Sequence, residues 1–178
     1  MILRGKKMFK RIFLFTGFIA AISFAMPSCK VSYSFTGANL SPAVKTYTVY
    51  YFPNRARLIN PTLSQTFTEE LKEKLQRQTS LDELQESGDL EFEGQITGYD
   101  LRPMSIQKDD LSAQTRLTIT IKLKYTNSIS PEENFERNFS AYDDFDSSID
   151  ISSIEDELSA DIVRKLTEDI FNATIANW

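Results

Sequence analysis

The chain has 178 residues, 41% apolar, 12% aromatic and 25% charged, a size and balance that fit one folded domain and exclude collagen-like or low-complexity chains. Histidine is absent and cysteine occurs once, which removes Ser-His and Cys-His catalysis, His-liganded zinc and haem, cysteine metal clusters and any intrachain disulfide.

The chain opens with a basic stretch holding Arg4, Lys6, Lys7, Lys10 and Arg11, followed by an apolar run from Ile12 to Met26. That run is 15 residues long, short of the roughly 20 a spanning helix needs, so residues 1–28 read as a secretory signal peptide. Met26-Pro27-Ser28-Cys29 follows, and the sole cysteine stands where a bacterial lipoprotein signal is cut and the new N-terminus acylated. Cys29 is thus the expected lipidation site; an ordinary signal peptide with an unrelated cysteine is the alternative. Cleavage there leaves 15 basic against 25 acidic side chains, a formal charge of −10, which opposes nucleic-acid binding and a polybasic grip on anionic lipid. Attachment to a membrane then falls to the acyl chains.

Residues 29–35 read as a lipidated tether, and residues 36–178 as a single domain without an internal repeat. Lys45 to Phe52 is rich in β-branched and aromatic residues and predicts a strand that stops at Pro53-Asn54. A loop holding Arg55 and Arg57 leads to Asn60-Pro61, a helix start in which Asn caps free amides and Pro gives up a donor without a partner. Leu63, Phe67, Leu71 and Leu75 form one face of the helix, expected to end near Thr79, and Glu70 with Lys74 makes an i,i+4 pair.

From Leu90 the period becomes 2: Leu90, Phe92, Gly94 and Ile96 alternate with polar residues, and Gly98 and Pro103 bend the continuation toward Gln107. Lys108 to Asp110 is a turn. Arg116 to Tyr125 alternates throughout, Asn127 to Glu133 turns, and Phe135 to Tyr142 is the last strand, with Phe135 and Phe139 toward the core. A closing helix starts near Ser152 or Ser153, where Ser152 and Glu155 fit a capping box, and runs to Ala173 or beyond on a stripe of Ile154, Leu158, Ile162, Leu166 and Ile170. The order β-α-β-β-β-α predicts an α+β two-layer sandwich, with one mostly antiparallel four-stranded sheet and both helices on one face.

The sequence shows no catalytic set and no phosphate-cradling loop. Asp143, Asp144, Asp146 and Asp150 shadow a calcium loop, but Ile149 stands where the turn needs Gly and a strand precedes it, so a solvated acidic loop is the expected reading and no metal is assigned. Glu91 and Glu93 share a strand face and are read as cross-strand partners of Arg116, Lys122 and Lys124; the same basic row is also a candidate contact for an anionic lipid.

Several segments together carry a family resemblance: Tyr33 to Ala38 after Cys29, Tyr51-Phe52-Pro53-Asn54-Arg55-Ala56, Asn60-Pro61-Thr62-Leu63-Ser64-Gln65, Gly88-Asp89-Leu90, Gly94-x-Ile96-Thr97-Gly98-Tyr99 and Arg116-Leu117-Thr118-Ile119. The chain resembles the lipopolysaccharide-assembly lipoproteins of the LptE family. The resemblance implies a non-catalytic lipoprotein on the periplasmic side of the outer membrane, without a cofactor. Its implied partner is the large LptD-type β-barrel, whose lumen it occupies while lipopolysaccharide (LPS) passes; direct contact with LPS is left open. A periplasmic lipid or small-ligand carrier is the rival reading and needs a cavity between sheet and helices. A hydrolase needs convergent carboxylates in a cleft.

Overall fold

The computed structural model describes residues 40–58, 60–104 and 113–176. The segments read as signal peptide and tether, Cys29 and the turn expected at Lys108 to Asp110 lie outside the described residues. In chain order the elements are β1 (Thr46–Val49), α1 (Leu63–Gln78), β2 (Asp82–Glu83), β3 (Leu90–Pro103), β4 (Gln114–Asn127), β5 (Phe135–Asp146) and α2 (Glu155–Phe171), with a π turn over Asn172–Ala176.

One sheet holds the five strands in the order β2-β1-β3-β4-β5. The three long strands form an antiparallel meander, as their alternation predicts. β1 enters parallel to β3, with Tyr47 opposite Leu90 and Val49 opposite Phe92, because α1 carries the chain back before β3 begins and such a crossover makes the pair parallel. The fifth strand, β2, was not expected. It is two exposed acidic residues, and it exists through backbone bonds from Asp82 N to Lys45 O and Leu84 N to Tyr47 O.

The sandwich of a sheet with two helices stands as predicted from the apolar stripes. Leu63, Phe67, Leu71 and Leu75 of α1, and Leu158, Ile162, Leu166 and Ile170 of α2, join the inward residues of β3 and β4 in one buried cluster. Burial of this continuous apolar surface is the main stabilising term of the fold. The opposite face of the sheet is polar and uncovered by either helix.

Two differences from the sequence reading have local causes. Lys74 does not pair with Glu70: it is 8% exposed and reaches across to Glu168 of α2, while Arg77 takes both Glu70 and Glu73. The capping box at Ser152 does not form either. Asp150 caps a 3-10 turn over Ile151–Ser153, α2 starts at Glu155, and the Glu155 carboxylate is occupied elsewhere.

β3 bends by a bulge. Its register against β4 shifts between Ile96 and Gly98, so the inward side passes from Ile96 to Tyr99. The buried Tyr99 hydroxyl then donates to Glu155 Oε1 at 2.6 Å, and Asn60 Nδ2 donates to the same atom at 3.1 Å. Asn60 Oδ1 meanwhile accepts from the amides of Thr62 and Leu63 at 2.9 and 3.1 Å, so it satisfies amides at the helix start as expected, although the helix itself begins at Leu63 with Thr62 at the cap position and Pro61 outside it. One carboxylate therefore joins the starts of both helices to the bulge of β3.

Candidate functional site

The uncovered sheet face brings the predicted basic row together with acidic partners from both neighbouring strands. Lys124 Nζ lies 3.0 Å from Glu93 and Lys122 Nζ 2.5 Å from Glu136. Arg116 clamps Asp144 through Nε and one terminal nitrogen, at 2.7 and 2.8 Å, and its guanidinium lies 3.6 Å from the centre of the Tyr142 ring. The Arg116 bonds hold the Asp144 carboxyl below its ordinary value, and the Lys122 bond does the same for Glu136. The Glu93 carboxylate raises the Lys124 ammonium.

A shallow depression of about 250 Å³, lined by Glu93, Gly94, Gln95, Lys122, Lys124 and Glu136, sits on this face. Arg116 is not part of it. Six residues along an extended strand separate Arg116 from Lys122 by about 20 Å, so the predicted row is a pair and a separate clamp. Of the two carboxylates expected to pair with this row only Glu93 does so, with Lys124; Glu91 makes no ion pair among the described residues and accepts from the Tyr50 hydroxyl at 3.5 Å, while Lys122 and Arg116 turn to Glu136 and Asp144 of β5.

The acidic loop is tied internally. Asp146 Oδ1 accepts from the amide and hydroxyl of Ser148, and Asp150 Oδ1 from those of Ser152. Both carboxyls are held low by these bonds. Asp143 binds Lys165 at 2.9 Å. Among the described residues no three metal-ligating side chains converge.

A second candidate was not singled out from the sequence. Between β1 and α1 the chain runs along β3, with Tyr50 N donating to Phe92 O, Ile96 N to Pro53 O and Arg55 N to Ile96 O. This pins the backbone from Tyr50 to Arg55 and turns Tyr51 outward, 62% exposed, beside the exposed Arg55; Arg57 and Leu58, the latter 43% exposed, follow on the surface. Neither arginine makes an ion pair among the described residues. The signal in the sequence was Tyr51 itself, an aromatic in a strand-like run whose neighbour Phe52 takes the core position.

Residues 44–174 match the sequence family described as LptE, lipopolysaccharide assembly. The chain belongs to the LptE family. LptE proteins are non-enzymatic lipoproteins of LPS assembly that associate with the LPS-transport machinery. Among curated proteins none matches this chain significantly. Among solved structures, this LptE chain is similar to a minor lipoprotein of Acinetobacter baumannii at 12% identity and TM-score 0.46, over 71% of this chain and 89% of that one. It is also similar to lipoprotein B of Nitrosomonas europaea at 9% identity and TM-score 0.47, over 71% and 79% of the two chains. A hypothetical protein of Chlamydia trachomatis, at 10% identity and TM-score 0.47, covers 76% of this chain and 100% of its own.

Most of the LptE-like motif residues serve the architecture. A Cβ on Gly94 would lie 2.7 Å from the ring of Phe52, which is fully buried and packs edge-on against Phe67 of α1 at 4.9 Å. Gly88 lies against the β1 backbone, where a Cβ would stand 2.6 Å from the Tyr47 carbonyl carbon. Asp89 Oδ2 accepts from the amides of Lys45 and Thr46 at 2.8 and 3.0 Å, which holds the carboxyl below its ordinary value and pins the start of β1. Among the described motif residues Tyr51 and Arg55 are exposed, as are Pro61, Thr62, Gln65 and Thr97.

No helix among the described residues is long and apolar enough to cross a membrane.

Proposed function

We propose that this LptE-family protein is held at the outer membrane by acyl chains on Cys29, faces the periplasm, and scaffolds or plugs the LptD-type β-barrel through which LPS is exported. The observation that carries this reading, beside the family match, is the contrast between the two sides of the sheet. The helix side is filled with Leu, Ile and Phe side chains, which favours a scaffold over a carrier with an internal ligand cavity. The outer side is polar, with ion pairs and a hydroxyl pair running between its strands, the composition of a wet interface that a barrel lumen would accept.

Tyr51, Arg55 and Leu58 are the anchors we assign to the barrel wall, because Tyr and Arg concentrate binding energy where they are presented on a fixed backbone. Lys122 and Lys124 are proposed as an anionic-lipid contact in the second place, since each already has a carboxylate partner.

The test is co-purification of the tagged full chain from detergent-solubilised outer membranes, with identification of bound proteins by mass spectrometry. A large β-barrel is expected in near-equal amount with the parent chain and depleted with Tyr51→Glu/Arg55→Glu. Cys29→Ala is expected to leave the membrane fraction. Good recovery of the parent without a barrel overturns the scaffold reading and favours a periplasmic carrier.

A further inference from the structure

β5 closes one end of the sheet, and among the described residues no strand pairs with its outer side. It is a 12-residue strand in constant register with β4, without a bulge. Ser147 N donates to Ala113 O, so by alternation the odd-numbered residues of β5 bond inward to β4 and the even-numbered ones, from Glu136 to Asp146, present their amides and carbonyls outward. An open edge of this length is a template for another strand.

We infer that the occupant of this edge is the β5 strand of a second copy of the chain, paired antiparallel about a two-fold axis at Ser140. The choice of register comes from charge. Two even-numbered edges bond to each other in several registers, but the one centred on Ser140 sets Arg137 directly opposite Asp143 of the second copy, on both sides of the axis. It also places Phe135 opposite Phe145 and Phe139 opposite Ala141, so apolar side chains meet apolar ones. A shift by one step of the axis sets Arg137 opposite Phe145 or Ala141 and leaves the charge unmatched.

Arg137 is prepared for this role. Its guanidinium lies 4.7 Å from the Phe135 ring centre and 4.5 Å from that of Phe139, and it has no carboxylate partner among the described residues. Stacking on two rings holds the planar group while its N–H edges stay free for a carboxylate. The groups that face Asp143 are also in place: Lys165 of α2 donates to its carboxylate at 2.9 Å and to the outward carbonyl of Tyr142 at 3.1 Å. In the paired state the Asn138 amide of the second copy takes that carbonyl and Arg137 joins Lys165 at the carboxylate. Lys165 is thus a removable cover of the edge in the single copy. Glu136 and Asp144 meet across the axis with their own cations, Lys122 and Arg116, already attached. The inference does not depend on the barrel reading.

The two-fold axis makes a direct test available, because it sets residue 140 against itself. In the full chain carrying Cys29→Ala, which removes the native thiol, Ser140→Cys is expected to give a covalent dimer with a short bis-maleimide cross-linker in detergent, which spans the roughly 5.5 Å between the Cβ atoms of a hydrogen-bonded pair. Ser148→Cys, in the turn beyond β5, is expected to give none. Arg137→Asp should lower the cross-linked yield by about tenfold or more, through like charges facing across the edge, and adding Asp143→Arg should restore it. Sedimentation of the unmodified chain should give the mass of two copies at about 100 µM, where an interface of modest affinity is populated. The single-copy mass throughout, equal yields from Ser140→Cys and Ser148→Cys, or a yield indifferent to Arg137→Asp overturns the inference.

Discussion

Gly94 shows how one missing methyl group can set a layer of the core. Phe52 leaves the end of β1, crosses the edge of β3 and reaches Phe67 only because Gly94 has no side chain in its way, and the Lys122 carbonyl lies 2.2 Å from where a Cβ would be. Both obstacles belong to well-packed groups, so Gly94→Ala is expected to destabilise by about 1–3 kcal/mol, read from the urea midpoint by circular dichroism. Tyr99 offers a test through pH. Burial first, and then its bond to Glu155, push the hydroxyl up to about 12 from an ordinary value of 10.0. The folded state therefore keeps a proton that the unfolded chain has lost, and stability contributed by Tyr99 falls as pH rises between those values. Tyr99→Phe should be less stable than the parent at pH 8, and the gap should narrow toward pH 12 in parallel denaturant titrations. A constant gap would refute the role given to this hydroxyl.

At the level of the elements, the long alternating strands and the two apolar helix stripes were readable because period and burial coincide in them. The bonding of Asn60 to the free amides at the helix start was readable because it is local chemistry, whereas sequence alone puts that start two residues early, at Pro61 instead of Leu63. β2 was not readable, since two acidic residues held by backbone bonds leave no side-chain pattern. Lys74 was misassigned for a related reason: spacing along one helix suggested Glu70, whereas the partner that burial selects lies on the other helix. The candidate site divided in the same way. The Lys124–Glu93 pair followed from alternation, but Lys122 takes Glu136 of β5, a partner on the strand the sequence reading did not consider, and the outward Tyr51 depends on where the chain is pinned to β3. The two-helix contact predicts unequal costs for removing its two partners. Glu168→Ala leaves the buried Lys74 ammonium beside the Phe171 ring without its carboxylate and should cost about 1 kcal/mol, whereas Lys74→Met replaces the pair by apolar volume and should be near neutral in the same melt.

For the molecule as a whole, the acidic excess is not spread evenly in its effect. Asp89, Glu136, Asp144, Asp146 and Asp150 are all held below their ordinary values of 3.8 or 4.5 by bonds that exist only in the fold. Each contributes stability above its unfolded value that is lost as pH falls through the folded one, so the domain should lose stability progressively below about pH 4. Asp89→Asn should flatten that slope, measured as the change in urea midpoint between pH 5 and pH 3. Ser148→Ala, which takes the hydroxyl donor from Asp146 in an exposed turn, should change it less.

The carboxylate shared by Asn60 and Tyr99 has a consequence for how the chain comes to be folded at all. Glu155 lies 95 residues beyond Asn60 and 56 beyond Tyr99. A chain emerging from a ribosome or a membrane pore in order of sequence has made α1, the meander and its bulge before the group that joins them exists. Contacts so distant in sequence form late, because loop closure costs entropy before any contact returns it. The last tie between the two helices and the bulge therefore closes only after the second helix has been made, and a chain cut before Glu155 would have to hold its first helix and its strands without it.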